Sequence, residues 1–259
     1  MFDWKNFLKL LEKKTFGIIN VTDDSFSGDG ILHSKKLLKE RFNFALENNI
    51  NFLDIGCMST KPDFQMLNTN EELDRLNFFL DNMSDKFYYS IDTLNSLVAE
   101  RALDSGFLII NDVSGFSESK MIELAIQREC GIIVMHRNPA SKNIQEKMDY
   151  VDVVDEVNTH LINQTENLIK KGINKSQIAV DPGLGFGKKM DDSKELFLNL
   201  NNLIKSYPVV VGYSRKKFTD QLNMTTSEMK DHCLHSGVDL VRLHLDNCLL
   251  YTSPSPRDT

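Results

Sequence analysis

The stretch DPGLGFGK, residues 181–188, directly follows a short apolar run, QIAV, at residues 177–180. The apolar run predicts a buried strand that ends at the carboxylate of Asp181. The three glycines that follow within five residues permit positive φ and a close approach of the backbone to a ligand. We therefore interpret the stretch as a strand end with a turn that binds a flat polar heterocycle. An ordinary strand-to-helix turn is the alternative.

Seven further short apolar runs alternate with helical patterns along the chain. The predicted strands cover residues 16–20, 51–56, 87–92, 107–111, 131–136, 177–181, 208–212 and 238–244. The predicted helices cover residues 2–14, 34–48, 70–83, 96–105, 120–128, 149–171, 193–205 and 227–235. Such alternation predicts parallel strands joined by right-handed crossovers. Eight strands in 259 residues favour an α/β fold of the (β/α)8 TIM-barrel type over an open doubly wound sheet.

No low-complexity linker divides the chain, so we expect a single domain over residues 1–247. Residues 248–259 contain two prolines and several serines, which predict no helix there. We interpret them as a non-native tail that resembles a translated sequencing adapter, and we expect the barrel to lack its final helix.

The composition narrows the class of protein. A net charge of −7 argues against a nucleic-acid partner, because nucleic-acid binders usually carry a basic face. The four cysteines form no CxxC pair, as in a reduced cytosolic protein. Residues 1–15 lack the apolar core of a signal peptide, and no apolar run is long enough to span a membrane. We therefore expect a cytoplasmic protein.

Nearly every predicted strand ends in a polar or ionisable residue. These residues are Asn20, Asp54, Asp92, Asn111, Asp112, His136, Asp181, Ser214, Arg215, Lys216, Arg242 and His244. Because the carboxyl ends of barrel strands converge on one face, the pattern predicts an active site there.

Three sets of polar residues at or just after these strand ends suggest different chemistry. Asn20 and Asp24, in a loop rich in small polar residues, could bind Mg²⁺ through oxygen; a solvated surface loop is the alternative. The ends of strands seven and eight, with Lys216, Arg242 and His244, could hold phosphate, with a surface ion pair as the alternative.

The third set is Asp92, Asn111 and Asp181. One carboxylate accepts two adjacent N–H donors, and an amide both donates and accepts, which suits a pterin or purine edge. Met135 and Phe186 could pack against such a ring, although apolar residues of this kind are more often plain core.

The motifs resemble those of one family in order along the chain. They are GIINVT at residues 17–22, DSFS at 24–27, DIG at 54–56, STKP at 59–62, SIDT at 90–93, NDVSG at 111–115, DPG at 181–183, GFGK at 185–188, SRK at 214–216, and Arg242 with His244. Over residues 16–244 the chain resembles the dihydropteroate synthases, folate-pathway TIM barrels. The resemblance implies a transferase that condenses 6-hydroxymethyl-7,8-dihydropterin diphosphate with p-aminobenzoate, uses Mg²⁺ and forms a homodimer.

The resemblance also implies a role for each matched residue. Asp92, Lys216 and Arg242 would be catalytic. The pterin would contact Asp92, Asn111, Met135, Asp181, Phe186, Gly212, Lys216 and Arg242. Pyrophosphate would contact Asn20, Thr60, Lys61, Arg242 and His244. The p-aminobenzoate would lie near Phe26, Pro62 and Ser214, and Mg²⁺ near Asn20 and Asp24.

Departures from the family pattern cluster in the two loops after strands one and two. Asp23 stands where proline is usual, Cys57 and Met58 replace a small residue and glutamate, and Lys61 replaces arginine. These departures bear on p-aminobenzoate and pyrophosphate binding more than on the pterin pocket. Two alternatives stay open: a corrinoid-dependent methyltransferase domain, which needs no pyrophosphate-binding set, and a non-catalytic pterin-binding paralogue.

Overall fold

The computed structural model describes residues 1–22, 31–58, 68–137 and 149–245. Within these ranges the strands are β1 (Thr15–Asn20), β2 (Phe52–Gly56), β3 (Tyr88–Asp92), β4 (Ile109–Asp112), β5 (Gly131–Met135), β6 (Ile178–Asp181), β7 (Val210–Gly212) and β8 (Leu240–His244). The helices are α1 (Trp4–Phe7), α2 (Lys35–Glu47), α3 (Thr69–Leu80), α4 (Ser96–Asp104), α5 (Ser119–Arg128), α6 (Val153–Lys170), α7 (Met190–Leu198) and α8 (Thr226–His235).

All eight strands are parallel and form one sheet in the order β6-β5-β4-β3-β2-β1-β8-β7. A single parallel bridge between Val180 and Val209 joins the two outer strands of that order. The sheet is therefore a nearly closed barrel, and the predicted (β/α)8 fold is confirmed. The predicted tail and the expected absence of a final helix lie outside the described residues and stay predictions.

Helices α2 to α8 cover the outside of the barrel, where one large apolar cluster lies between helices and strands. Most of them begin at a side chain that accepts a hydrogen bond from a backbone N–H of the first turn. The residues at these positions are Ser34, Asn68, Asn95, Asp152 and Thr225. Within the described ranges, no helix combines the length and the apolar character that crossing a membrane requires.

The structure corrects the bounds of three predicted helices. The helix predicted over residues 2–14 is only α1 with a 3-10 turn at Leu8–Leu10, because Leu11 is already extended and leads into β1. Helix α6 begins four residues later than predicted, since Asp152 caps it. Helix α7 ends at Leu198 and is followed by a separate 3-10 turn.

The N-terminal segment closes the amino-terminal end of the barrel. Trp4 and Phe7 are buried against apolar side chains from the strand interiors, namely Phe16, Phe52, Ile109, Ile133, Ala179, Val210 and Leu240. The indole Nε1 of Trp4 donates to the carbonyl oxygens of Gln177 at 2.8 Å and Ile132 at 3.2 Å. This apolar floor leaves the carboxyl end of the barrel as the place for polar side chains.

Candidate active site

A largely buried ion cluster lies at the carboxyl end of the barrel, where β2, β3 and β8 contribute one charged residue each. Arg242 Nε donates to Asp54 Oδ2 at 2.6 Å, and Arg242 Nη2 contacts the carboxylates of Asp54 and Asp92. Burial by itself would lower the pKa of Arg242, but Asp54 and Asp92 more than offset that effect and raise it. The guanidinium therefore stays charged and has a fixed orientation.

Asp54 is the centre of this cluster. It is fully buried, and it accepts hydrogen bonds from Ser90 Oγ at 2.6 Å and from Asn111 Nδ2 at 3.0 Å as well as from Arg242. A buried carboxylate is tolerated when it is paired and its lone pairs are satisfied. Asp54 thus fixes both Asn111 and Arg242.

Asp92 is aligned with Asn111 in the register of β3 and β4. Burial raises the pKa of its carboxyl group, while Arg242 acts in the opposite direction. A carboxylate that is short of water interacts strongly with any positive charge that develops near it.

Asp181 ends β6 and begins the glycine-rich turn. Its Oδ1 accepts from Gly183 N at 2.7 Å, and among the described residues Oδ2 has no hydrogen-bond partner. Gly183 has φ of +66°, and a Cβ there would lie 2.3 Å from the carbonyl oxygen of His136. Only glycine fits that position, as the turn interpretation predicted.

Lys216, after β7, extends to the same turn. Its Nζ donates to the carbonyl oxygen of Leu184 and lies 4.6 Å from the centre of the Phe186 ring. Burial lowers the pKa of Lys216 to about 8, although the charge of Asp181 opposes that shift. A lysine with such a pKa can both donate a hydrogen bond and exchange a proton near neutral pH.

The ends of β7 and β8 also meet through their polar side chains. Ser214 Oγ lies 2.9 Å from His244 Nδ1, and the backbone N–H of His244 donates to the same oxygen at 3.4 Å. Gly212 pairs with Arg242 in the register of the two strands. Ser214 and His244 are therefore one unit beside the Arg242 cluster.

A family model described as pterin binding enzyme matches residues 16–244. The chain belongs to the pterin binding enzyme family. It is 32% identical over 243 residues to the bifunctional dihydropteroate synthase/dihydropteroate reductase of Helicobacter pylori, which covers 88% of this chain. This chain spans 63% of the length of that relative. It is 31% identical over 248 residues to the dihydropteroate synthase of Escherichia coli, covering 92% of this chain and 88% of the relative.

Solved structures of the family have the same fold. The Xanthomonas albilineans dihydropteroate synthase with 4-aminobenzoic acid superimposes with a TM-score of 0.77 at 26% identity, covering 93% of each chain. The Anaplasma phagocytophilum enzyme with bound 6-hydroxymethylpterin-monophosphate gives 0.76 at 28% identity, covering 92% of this chain and 96% of that one. The resemblance that the motifs predicted is confirmed, as is the prediction of a transferase.

The structure brings the described candidate residues of this family member to one end of the barrel. Asn20, Asp92, Met135, Asp181, Gly212 and His244 each end a strand, and Asn111 and Arg242 lie one and two residues before a strand end. Ser214, Lys216 and Phe186 lie in the following turns. The remaining candidates, Asp24, Phe26, Thr60, Lys61 and Pro62, lie outside the described residues. Their roles, like those of the others, stay predictions.

The Mg²⁺ prediction depends on Asn20 and Asp24, and only Asn20 is described. The described ranges contain no group of three or more His, Cys, Asp or Glu side chains that could hold a metal. The amide oxygen of Asn20 faces Gly56, where a Cβ would lie 3.1 Å away. Proteins commonly hold Mg²⁺ through one or two side chains together with substrate phosphates and water. The single neutral oxygen of Asn20 fits Mg²⁺ only as one ligand of such a set.

Two features of the site were missed at the level of sequence. Asp54 was recognised as a strand end, but its hydrogen bonds to Asn111 and Arg242 cross 57 and 188 residues of sequence. Lys188 ends the quoted glycine-rich stretch, yet it is buried beneath the turn. In the sequence, each of these two residues is recognisable as a charged residue in an unusual setting: Asp54 lies in an apolar run, and Lys188 lies in a glycine-rich run.

Proposed function

We propose that this protein is a dihydropteroate synthase. It condenses 6-hydroxymethyl-7,8-dihydropterin diphosphate with p-aminobenzoate to give 7,8-dihydropteroate and pyrophosphate. The proposal rests on one observation: two sets of residues lie at the same end of the barrel. Asp181 and Asn111 suit the polar edge of a pterin, and Arg242 with His244 suits a phosphate group.

Recognition of the pterin rests on Asp181, Asn111 and Lys216. Asp181 Oδ2 accepts from the N–H donors of the ring, while Gly183 N holds the other oxygen. Asn111 directs one amide N–H to Asp54, so its carbonyl oxygen and its second N–H are left for the ligand. Lys216 donates to the ring carbonyl or a ring nitrogen. Phe186 and Met135 pack against the ring, and Gly212, which has no side chain, leaves room for it.

The departure of pyrophosphate is assisted by positive charge and hydrogen-bond donors. Arg242 contacts the ring and the phosphate, and His244, Asn20, Thr60 and Lys61 contact the pyrophosphate. When bound beside Asn20 and Asp24, Mg²⁺ supplies additional charge neutralisation on the leaving oxygens. The C–O bond breaks with its electron pair on pyrophosphate, and Asp92 stabilises the positive charge that develops on the pterin methylene.

The second substrate completes the reaction. The amine lone pair of p-aminobenzoate forms the new C–N bond, and the proton released from nitrogen passes to water. Ser214 lies near the carboxylate of p-aminobenzoate, and Phe26 and Pro62 enclose its ring. No protein nucleophile takes part, so the residues act by binding, orientation and electrostatics.

A turnover assay tests the proposal. The folded protein, checked by circular dichroism, is incubated with both substrates and Mg²⁺, and dihydropteroate and pyrophosphate are measured in parallel. We expect both products in equal amounts, and neither when either substrate is left out. A folded protein that binds the pterin but forms no product would instead be a non-catalytic pterin-binding paralogue.

We also propose that the protein is a homodimer, as the family resemblance implies, and that it is cytoplasmic. The cysteines of the described ranges, Cys57, Cys130 and Cys233, are buried and free, which fits a reducing compartment. Light scattering of the purified protein measures the oligomeric state, and a mass close to twice 29.6 kDa supports the dimer.

A further inference from the structure

A lysine is buried beneath the glycine-rich turn. Lys188 is 3% exposed, and its Nζ lies 2.9 Å from the carbonyl oxygen of Gly183, 3.3 Å from that of Phe186 and 2.9 Å from His136 Nδ1. An ammonium group has three N–H donors and no acceptor. The three neighbours therefore match its full donor capacity, which is what makes burial of the charge tolerable.

The two carbonyl acceptors of Lys188 lie on the same turn that carries the pterin-binding candidates. Gly183 donates to Asp181 Oδ1 through its N–H and accepts from Lys188 through its carbonyl oxygen. Phe186 is the ring against which Lys216 lies. Lys188 thus connects the position of the Asp181 carboxylate to that of the Phe186 ring.

His136 supports this arrangement from the end of β5. In its ammonium form Lys188 only donates, so His136 Nδ1 accepts, and His136 is then neutral with its proton on Nε2. Its backbone N–H donates to the carbonyl oxygen of Asp181 at 2.8 Å. Burial lowers the pKa of His136 to about 2, with Lys188 and His160 acting in the same direction.

We propose that Lys188 and His136 form a buried positioning pair that sets the turn from Asp181 to Phe186 for the pterin ring and so determines pterin affinity. This role rests on the proposed function. Neither residue touches the substrate, because both lie behind the turn. The pair has a distinct signature: it governs pterin binding and leaves p-aminobenzoate binding largely unchanged.

Calorimetry with 6-hydroxymethyl-7,8-dihydropterin diphosphate tests the pair. We expect Lys188→Met to raise the Kd for the pterin roughly 10- to 100-fold, as for the loss of a charged hydrogen bond. The KM for p-aminobenzoate should change by less than about threefold, a difference below the usual effect of a hydrogen bond. Lys189→Met is the matched control, since Lys189 is exposed and pairs with Asp149, and its Kd should equal that of the wild type.

Two variants of His136 test the acceptor separately. His136→Asn keeps a side-chain acceptor near the position of Nδ1 and should retain pterin affinity within about threefold, whereas His136→Leu should behave like Lys188→Met. If Lys188→Met does not fold, the pterin affinities of these two His136 variants test the positioning role.

The outcomes are distinct. A wild type that binds no pterin refutes the proposed function together with this role. Wild-type affinity in folded Lys188→Met, or equal affinities in the two His136 variants, refutes the positioning role alone. If Lys188→Met and His136→Leu both fail to fold, the pair serves the stability of the barrel and the proposal is overturned.

Discussion

The guanidinium of Arg242 on β8 reaches past β1 to the carboxylate of Asp54 on β2, with Nε 2.6 Å from Oδ2. The same carboxylate accepts from Asn111 on β4. One buried acceptor therefore positions a cationic side chain proposed for phosphate and an amide proposed for the pterin. The chemistry of the site depends on a residue that need not touch either substrate.

Replacing Asp54 should destabilise the fold as well as the site. Asp54→Ala removes the buried acceptor that Arg242, Ser90 and Asn111 share and leaves Arg242 with Asp92 as its carboxylate partner. Breaking a buried ion pair costs about 3–5 kcal/mol, and because Asp92 remains we expect a loss of about 3 kcal/mol. Urea unfolding measures this loss. Asp54→Asn keeps one oxygen for Arg242 and should lose less, and Asp85→Ala, at an exposed position, should lose nothing measurable. A stable Asp54→Ala variant would contradict the central role of this residue.

Asp181→Ala should abolish pterin binding. The carboxylate is proposed to accept two ring donors, and losing charged hydrogen bonds of about 1.5–3 kcal/mol each corresponds to at least ~100-fold in Kd. Titration calorimetry with the dihydropterin diphosphate checks this. Asp191→Ala, an exposed position in the first turn of α7, is the control and should bind normally. Wild-type affinity in Asp181→Ala would remove the pterin assignment.

The sequence predicted those site residues whose position in the fold is evident from their immediate neighbours in the chain. A carboxylate such as Asp181 at the end of an apolar run is visible locally, and parallel strands bring such ends together. The partners of Asp54 were not predictable, because they come from strands far apart in sequence and meet only through barrel register. Lys188 was missed for a related reason: a lysine is normally exposed, and its three acceptors are brought together only in the fold, two by the turn and one by His136 after β5.

The turn itself should tolerate no side chain at Gly183. Gly183→Ala combines positive φ with a Cβ 2.3 Å from the His136 carbonyl oxygen, whereas Gly106→Ala has positive φ but nothing within 4 Å of its Cβ. The left-handed conformation alone costs about 1–2 kcal/mol, and the clash should add about 1–3 kcal/mol. Thermal unfolding compares the two variants. Equal losses would show that the contact with His136 is not tight.

Stability should fall on the acid side because His136 is buried in its neutral form. The pKa of His136 is lowered from 6.5 to about 2, so below pH 6.5 the unfolded chain binds a proton that the folded protein does not. The free energy of unfolding therefore decreases as the pH falls, by about 1.4 kcal/mol between pH 7.5 and 5.5. His160, whose pKa is lowered by burial and by Lys188, acts in the same sense.

Burial lowers the pKa of Lys188 to about 7, so Lys188 also reduces the stability as the pH falls through this range. His136→Asn keeps a partner for Lys188, and comparison with this variant therefore separates the effect of His136 from that of Lys188. Buried carboxyl groups such as Asp112 have raised pKa values and act in the opposite sense, so the total slope is a sum of several groups. Denaturant unfolding at pH 7.5 and 5.5 should show a smaller loss for the variant than for the wild type, by about 1.4 kcal/mol. The same loss in both proteins would mean that His136 takes up its proton in the folded state.

Trp4 should matter for stability and not for substrate binding, because it lies at the opposite end of the barrel from Asp181. Trp4→Ala leaves a cavity among the apolar side chains at the amino-terminal end of the barrel and should lower the free energy of unfolding by about 3–5 kcal/mol. Trp4→Phe keeps a ring but loses the hydrogen bonds of Nε1 to Gln177 and Ile132, so it should cost about 1–3 kcal/mol. Leu97→Ala, at an exposed position, serves as the neutral control. The pterin affinity of each folded variant, measured by calorimetry, should equal that of the wild type. A weakened pterin affinity in Trp4→Phe would show that the apolar amino-terminal end of the barrel and the site are coupled through the strands.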